Sequence, residues 1–441
     1  MTVRTLPIPL QSAPRPQVRG IARLFDQAVV FAGVLMLLEI IKFAITGNGE
    51  PEDLAGAGNP LARAAWYPLY LGILVVLAAR IGALARAAVA AWPVFALLAL
   101  TAASVAWSVA PEVTARRAVA VGFTVLFGVF LALREDRLGT LRLVGAAILT
   151  GAALNLLVIF ALPGAGVDHD LHPGAWKGVT VEKNALGGDM ARAALVMLAL
   201  CGLDRARRGI WLAGLAVTVL LVLGSASRTA LLALIVPGAL YGLYLIGRRS
   251  AVTALGVFYM ATVGAVAAGA FILLAPDTAA GLIGKDLTLT GRTDIWELAL
   301  AQIKAAPWTG YGFGAFWADP YGPSYAITSR LEWAVPSAHN TWLETGLALG
   351  IPGMALLAVA VGWPLLRSML AVLGGAAPFA GLGLVQLVLF SLSESAIFWQ
   401  PNAFSCALFG FYAAAALLAR ASVAAPPAPA PRPKLARVRT A

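Results

Sequence analysis

Two cysteines and three histidines in 441 residues leave little material for a disulfide framework or a soft-metal centre. The apolar pattern sets Cys201 at one end of a predicted helix and Cys406 near the middle of another, so neither a bridge nor a Cys-based metal site is expected. Charge is equally scarce. Only 12% of the residues are Asp, Glu, Lys or Arg, against 60% hydrophobic residues and a mean hydropathy of +0.84, which excludes a soluble multidomain protein and places the chain in the polytopic membrane class. No internal repeat is visible, which weighs against an inverted-repeat transporter. The 45 Gly and 26 Pro do not signal disorder, since neighbouring transmembrane helices satisfy the backbone groups such residues free. A net charge of +11 would suggest nucleic acid in a soluble protein; here the basic residues are first sorted by membrane side, and no nucleic-acid partner is expected.

About 20 apolar residues cross the hydrocarbon layer, so each such run closed by charge, Pro or Gly is read as a span. An all-α bundle of about twelve transmembrane helices follows, at 27–46, 66–83, 91–107, 118–134, 141–162, 186–202, 209–224, 229–247, 252–275, 340–366, 370–391 and 396–418. With a cytoplasmic N-terminus, the inner segments collect 20 of the 32 Lys and Arg, which sets both termini inside. The order along the chain is then a basic cytoplasmic stretch at 1–26, spans one to five over 27–162, an outer loop at 163–185, and spans six to nine over 186–275. A large outer loop at 276–339, spans ten to twelve over 340–418 and a disordered cytoplasmic tail at 419–441 complete it. The first span reads as a retained signal anchor. The Pro/Ala-rich basic tail is drawn weakly to anionic lipid. Within the large loop, Asp294 to Ala305 has helical apolar spacing and predicts a short amphipathic helix at the outer interface.

Long loops in compact domains are functional or disordered, so chemistry is sought in the two outer ones. Arg228, in SASRT at the outer junction of spans seven and eight, is either a guanidinium snorkelling to headgroups or a fork that receives a phosphate of a lipid-linked substrate. Arg292, in TGRTDIW at the start of the amphipathic helix, is a second candidate phosphate ligand, where free backbone N–H groups add to an anion site. The glycine run from Gly310 to Gly314 follows no strand and is not a nucleotide loop. Its interleaved Trp308, Tyr311, Phe313, Phe316 and Trp317 suit sugar stacking or, for most of the rings, the interface belt. His339, followed by Asn340 at the mouth of the tenth span, is a capping residue or a general base, since an imidazole accepts a proton near neutral pH. Asp168, His169, Asp170 and His172 have the density of a divalent metal site, but short polar loops imitate such spacing, so no metal enters the main reading. Asp189 and Arg192 lie three apart on one helical face, as a structural ion pair would.

Together the motifs resemble one family, the bacterial O-antigen ligase and polysaccharide polymerase superfamily, closest to its exopolysaccharide-polymerase branch. The resemblance rests on Ser104 to Pro111 with Thr114 to Arg117, GVTVEKNALG at 178–187, SASRTALLAL at 225–234, TGRTDIW at 290–296, GYGFGAFW at 310–317 and AHNTWLE at 338–344. It implies a GT-C-type, inverting glycosyltransferase of the bacterial inner membrane that needs no cofactor and no metal. Such an enzyme takes a glycan from undecaprenyl diphosphate on the periplasmic face and passes it to an acceptor hydroxyl, either on a lipid-linked repeat or on lipid A core. It further implies that Arg228 and Arg292 hold the diphosphate and that His339 acts on the acceptor hydroxyl. Arg117, Lys183, Asn184, Asn340 and Trp317 are expected to line the substrate. The chemistry is compatible: arginines stabilise a departing diphosphate, and one histidine suffices to deprotonate a sugar hydroxyl. A polymerase is favoured over a ligase. A transporter or lipid flippase and a membrane scaffold are the readings from other classes.

Overall fold

The computed structural model describes residues 20–47, 59–170, 172–247, 250, 252–253, 292–331, 333, 335–373, 376–398 and 403–418. The predicted span at 252–275, the loop before Arg292, the N-terminal stretch and the tail lie outside, or almost wholly outside, the described residues.

Helices form wherever the apolar runs lead. In chain order they are α1 Gly20–Leu37, α2 Ile40–Thr46, α3 Pro60–Ala64, α4 Trp66–Ala78, α5 Ile81–Ala90, α6 Trp92–Ala103, α7 Pro111–Leu133, α8 Arg137–Ala161, α9 Pro163–Gly166, α10 Lys183–Leu203, α11 Arg208–Gly224 and α12 Arg228–Gly247. After the undescribed segment come α13 Arg292–Ala305, α14 Tyr325–Leu331, α15 Thr341–Leu373, α16 Phe379–Ser391 and α17 Ala403–Leu418. Among the described residues no strand forms, and the only extended pairing is an isolated bridge between Val167 and Trp176. Among the described residues eight helices are long and apolar enough to cross a membrane, and α5 with α6 makes a ninth if the pair, bent by 95°, is one span; α16 and α17 are shorter apolar helices. The chain is a polytopic helical membrane protein.

The centre of the bundle is α10. It is apolar nearly all round and is therefore enclosed on every side, chiefly by α8, α11, α12 and α16. On the other flank α7 and α17 touch backbone to backbone: a Cβ on Gly128 would collide with the carbonyl of Ala407, and small residues at such a crossing are what allow it. Arg192 lies mid-helix on α10 and not near a helix end, only 1% exposed; it pairs with Asp189 at 2.7 Å and its guanidinium stands 4.7 Å from the Phe390 ring centre. At the far end of α10 from its N-terminus, Asp204 accepts from Nε and Nη2 of Arg142 and from the Trp211 indole, and these charge-assisted bonds hold its carboxyl down at about 2.

Three local departures from the expected spans have plain causes. The first span is cut at Leu38–Glu39, where Glu39 adopts a left-handed conformation. The tenth span runs on past Arg367 to Leu373, since one arginine does not end a helix, and the glycine- and proline-bearing sequence at 374–378 follows it. The same span is broken at Gly350, whose φ of 65° and ψ of −165° are not helical. The stretch from Thr341 to Leu349 is thus a separate helical piece that only leads into the longer one.

Candidate functional site

A small second core forms beside the bundle. Ile295, Ala299 and Ile303, four apart on α13, bury one helix face against Phe316, Trp317, Ile327, Val335, Ala338, Leu343 and Leu347. The amphipathic helix is therefore present, and it packs on protein. Its Trp296 indole donates to the Ala338 carbonyl at 2.9 Å, which fastens α13 to the residue before His339.

The glycine-aromatic loop is held from both sides. Tyr311 N and Gly312 N donate to the carbonyls of Leu347 and Ala348, which the break at Gly350 leaves without helical partners, and Ile351 N returns a bond to Pro307 O. From the other side, Val109 N donates to Tyr311 O, the Trp107 indole to Thr309 O, and Arg117 Nη1 to Gly314 O at 2.9 Å. The loop is consequently wrapped inward, and the belt reading fails for Phe313, Phe316 and Trp317, which are all buried. Trp317, expected against substrate, is 2% exposed, and its indole donates to Glu344 Oε2 at 3.0 Å; Trp308 is the ring left open. Glu344, itself buried, accepts from Ala338 N with its other oxygen at 2.5 Å. One carboxylate thus ties the aromatic loop to the backbone that carries His339.

His339 has a φ of 48°, the left-handed region that a non-glycine residue enters at a cost and keeps only when its surroundings insist. Those surroundings are explicit. Asn340 caps the next helix, its Oδ1 accepting from Trp342 N and Leu343 N, while its Nδ2 donates to Leu392 O. Thr341 Oγ1 donates to Glu394 O and accepts from Ala396 N, so the N-terminus of α15 is laced to the 391–398 turn.

That turn gathers the site. Glu394 Oε2 lies 3.2 Å from His339 Nδ1, and Glu394 Oε1 lies 3.0 Å from Arg292 Nη2. The second Arg292 nitrogen donates to Ser393 O. Ser393 Oγ is 3.2 Å from Thr229 Oγ1, the residue after Arg228, so the start of α12 reaches the same turn; Arg228 itself is exposed there. Arg292 and His339 are therefore brought together on one carboxylate, with the helix start that bears Arg228 joined to the same turn. Burial pushes the Glu394 carboxyl up, but the His339 hydrogen bond and the Arg292 charge outweigh it and hold it below its ordinary value of 4.5.

Lys183 and Asn184 open α10 beside this cluster. Glu182, just before them, keeps one side open to solvent yet is crowded by its neighbours; that loss of water and the charge of Glu394 push its carboxyl above the ordinary range, against His339, Arg292 and Lys183. Arg117 joins the aromatic loop through its bond to Gly314 O. Glu394 and Glu182 are the two members that the motif reading did not single out. Glu182 stood inside the motif at 178–187. Glu394 had no neighbouring signal, since only the fold carries it to a histidine 55 positions away.

The acidic-histidine loop is a tight turn. Asp168 Oδ1 accepts from Asp170 N at 3.0 Å, the Asp168 backbone pairs with Ala175 and Gly174, and His169 Nε2 lies 3.2 Å from Pro163 O. Among the described residues no three of His, Cys, Asp and Glu group so as to hold a metal ion.

A histidine–carboxylate–arginine cluster at the helix ends is the class of site this geometry defines, and comparison with known proteins agrees with the motifs. Residues 212–358, which contain Arg228, Arg292 and His339, match the family described as O-antigen ligase. The chain is also 28% identical over 314 residues to the exopolysaccharide production protein ExoQ of Rhizobium meliloti (strain 1021), covering 66% of this chain and 68% of that one. Over residues 212–358, and through its 28% identity to that relative, the chain is similar to O-antigen ligase/polymerase-like membrane proteins.

Proposed function

We propose that the chain is a GT-C-type glycosyltransferase of about twelve spans in the bacterial inner membrane, with both termini cytoplasmic and the site on the periplasmic face. Its donor is a glycan on undecaprenyl diphosphate and its acceptor the hydroxyl of a second lipid-linked repeat. The observation that carries this reading is the convergence of Arg292 and His339 on Glu394, with α12 and its Arg228 tied to the adjoining Ser393. The basic-residue asymmetry of the loops supports the orientation.

The chemistry follows from the atoms. Glu394 accepts a hydrogen bond from His339 Nδ1–H, which leaves Nε2 unprotonated and available to the acceptor. His339 Nε2 takes the hydroxyl proton as the acceptor oxygen attacks the anomeric carbon. The bond from that carbon to the phosphate oxygen breaks, and its electron pair leaves with the diphosphate. Arg292 and Arg228 neutralise the leaving charge, so the leaving group departs without protonation. A single displacement of this kind inverts the anomeric configuration. In this reading Lys183 and Asn184, which open α10, add positive potential and a polar contact.

Polymerisation is favoured because the relative at 28% identity carries an exopolysaccharide production name. The family match keeps ligation to lipid A core as the second reading. Purified protein given one defined lipid-diphosphate oligosaccharide and no other acceptor separates them. A ladder of longer lipid-linked products is the expected result. Turnover that begins only when lipid A core is added replaces polymerase by ligase, and no transfer to either acceptor refutes both.

A further inference from the structure

We propose that Glu394 is a place-holder for the donor's diphosphate: it occupies Arg292 while the site is empty, and yields that arginine when the donor binds. The proposal rests on the diphosphate reading above. Its ground is the way the carboxylate is shared. A guanidinium and a carboxylate left to themselves pair fork to fork, with two parallel bonds. Here Glu394 gives Arg292 one oxygen only, at 3.0 Å, and turns the other to His339 at 3.2 Å, while the spare Arg292 nitrogen settles on the Ser393 carbonyl. Arg292 is thus held by one carboxylate oxygen and one neutral carbonyl, a weaker hold than the several anionic oxygens of a diphosphate provide. Both partners keep access to the mouth, with side chains 16% and 24% exposed, while that of Glu394 is 9% exposed and stays behind them.

The exchange has a second effect. Once Arg292 turns to phosphate, Glu394 is left facing His339 alone, and an undivided carboxylate stabilises the imidazolium that forms as the acceptor hydroxyl gives up its proton. Donor binding therefore raises the basicity of His339, and the base becomes competent after the donor is in place. Glu394 acts through Arg292 and His339 and is a positioning residue.

Glu394→Gln separates this role from a structural one, because two constants should move in directions that a loosened fold would not produce together. The lost competitor should tighten binding of inorganic pyrophosphate, read by calorimetry on the detergent-solubilised full chain, and should lower the donor KM, each by on the order of tenfold. The lost partner should at the same time lower kcat. If Glu394→Gln fails to fold, Glu394→Asp, one methylene shorter and unable to reach both partners at once, should show the same opposed pair of changes. Pyrophosphate binding to the wild type with no tightening in the folded variant overturns the place-holder role and leaves the diphosphate site standing. Binding of pyrophosphate and donor by neither protein overturns the site itself, and the place-holder falls with it.

Discussion

At the level of single side chains, the charged groups around Glu394 carry unequal duties, and each duty has its own measurement. Arg292 binds through two nitrogens, so Arg292→Lys keeps the charge and loses the fork. Transfer should fall by at least tenfold, on the scale of about 1.5–3 kcal/mol for a charge-assisted bond, while the melting temperature moves little. Retention of full activity by the lysine variant would reduce Arg292 to a point charge. The pH response follows from Glu394. Its folded-state value is depressed, so its stabilising contribution is complete above the ordinary carboxylate value of 4.5 and disappears only as pH falls through the lower folded value. Thermal unfolding followed in wild type and Glu394→Gln should therefore differ most from neutral pH down to about 4.5 and converge in stronger acid. A difference that grew with acidification would reverse the sign and contradict the pairing. Much of this scale was legible in the sequence: His339 is one of three histidines, and Arg228 and Arg292 are picked out from the other arginines by the strings they stand in. Glu394 was not, because a carboxylate at a span end looks the same whether it faces lipid headgroups or a histidine.

Helices and loops carry the precision of the site. The break at Gly350 lets Tyr311 and Gly312 bond to Leu347 and Ala348, and the aromatic loop so held presses Trp317 onto Glu344. Glu344 in turn grips Ala338 N, one residue before the strained His339. Gly350→Ala would place a Cβ in the left-handed region and 2.5 Å from Pro307 O, so we expect a loss of roughly 1–3 kcal/mol of stability, read as a lowered melting temperature. An unchanged melting temperature would mean that the break is not fixed by this residue. Trp317→Phe removes only the indole donor to Glu344; transfer should fall with the donor KM unchanged, whereas a substrate-stacking role would raise that KM. This chain of supports was not singled out beforehand: Gly350 and Pro352, with Gly346 and Gly353 around them, do mark a weak point in the run, but Gly and Pro are common inside transmembrane helices and do not by themselves announce a break. The α13 helix was readable, since Ile295, Ala299 and Ile303 are spaced for one face, yet periodicity alone could not say whether that face met lipid or protein.

Over the whole molecule, apolar runs determine where helices can lie, and among the described residues each expected span has a helical counterpart. What the runs could not supply is depth. Arg192 sits mid-helix and enclosed, held by Asp189 and the Phe390 ring. Arg192 Nη2 pairs with Asp189 within one turn of the same helix, as a structural pair does. The proposed reaction likewise draws its positive charge from arginines, so transfer should survive exhaustive EDTA treatment, and loss of activity restored by a divalent cation would bring the Asp168 loop back into the chemistry. The most direct test of the central claim is the product ladder from a defined lipid-diphosphate oligosaccharide with purified His339→Ala, run beside donor binding. The account predicts that donor binding persists while chain extension falls by about 100-fold or more; wild-type extension by the alanine variant would contradict it.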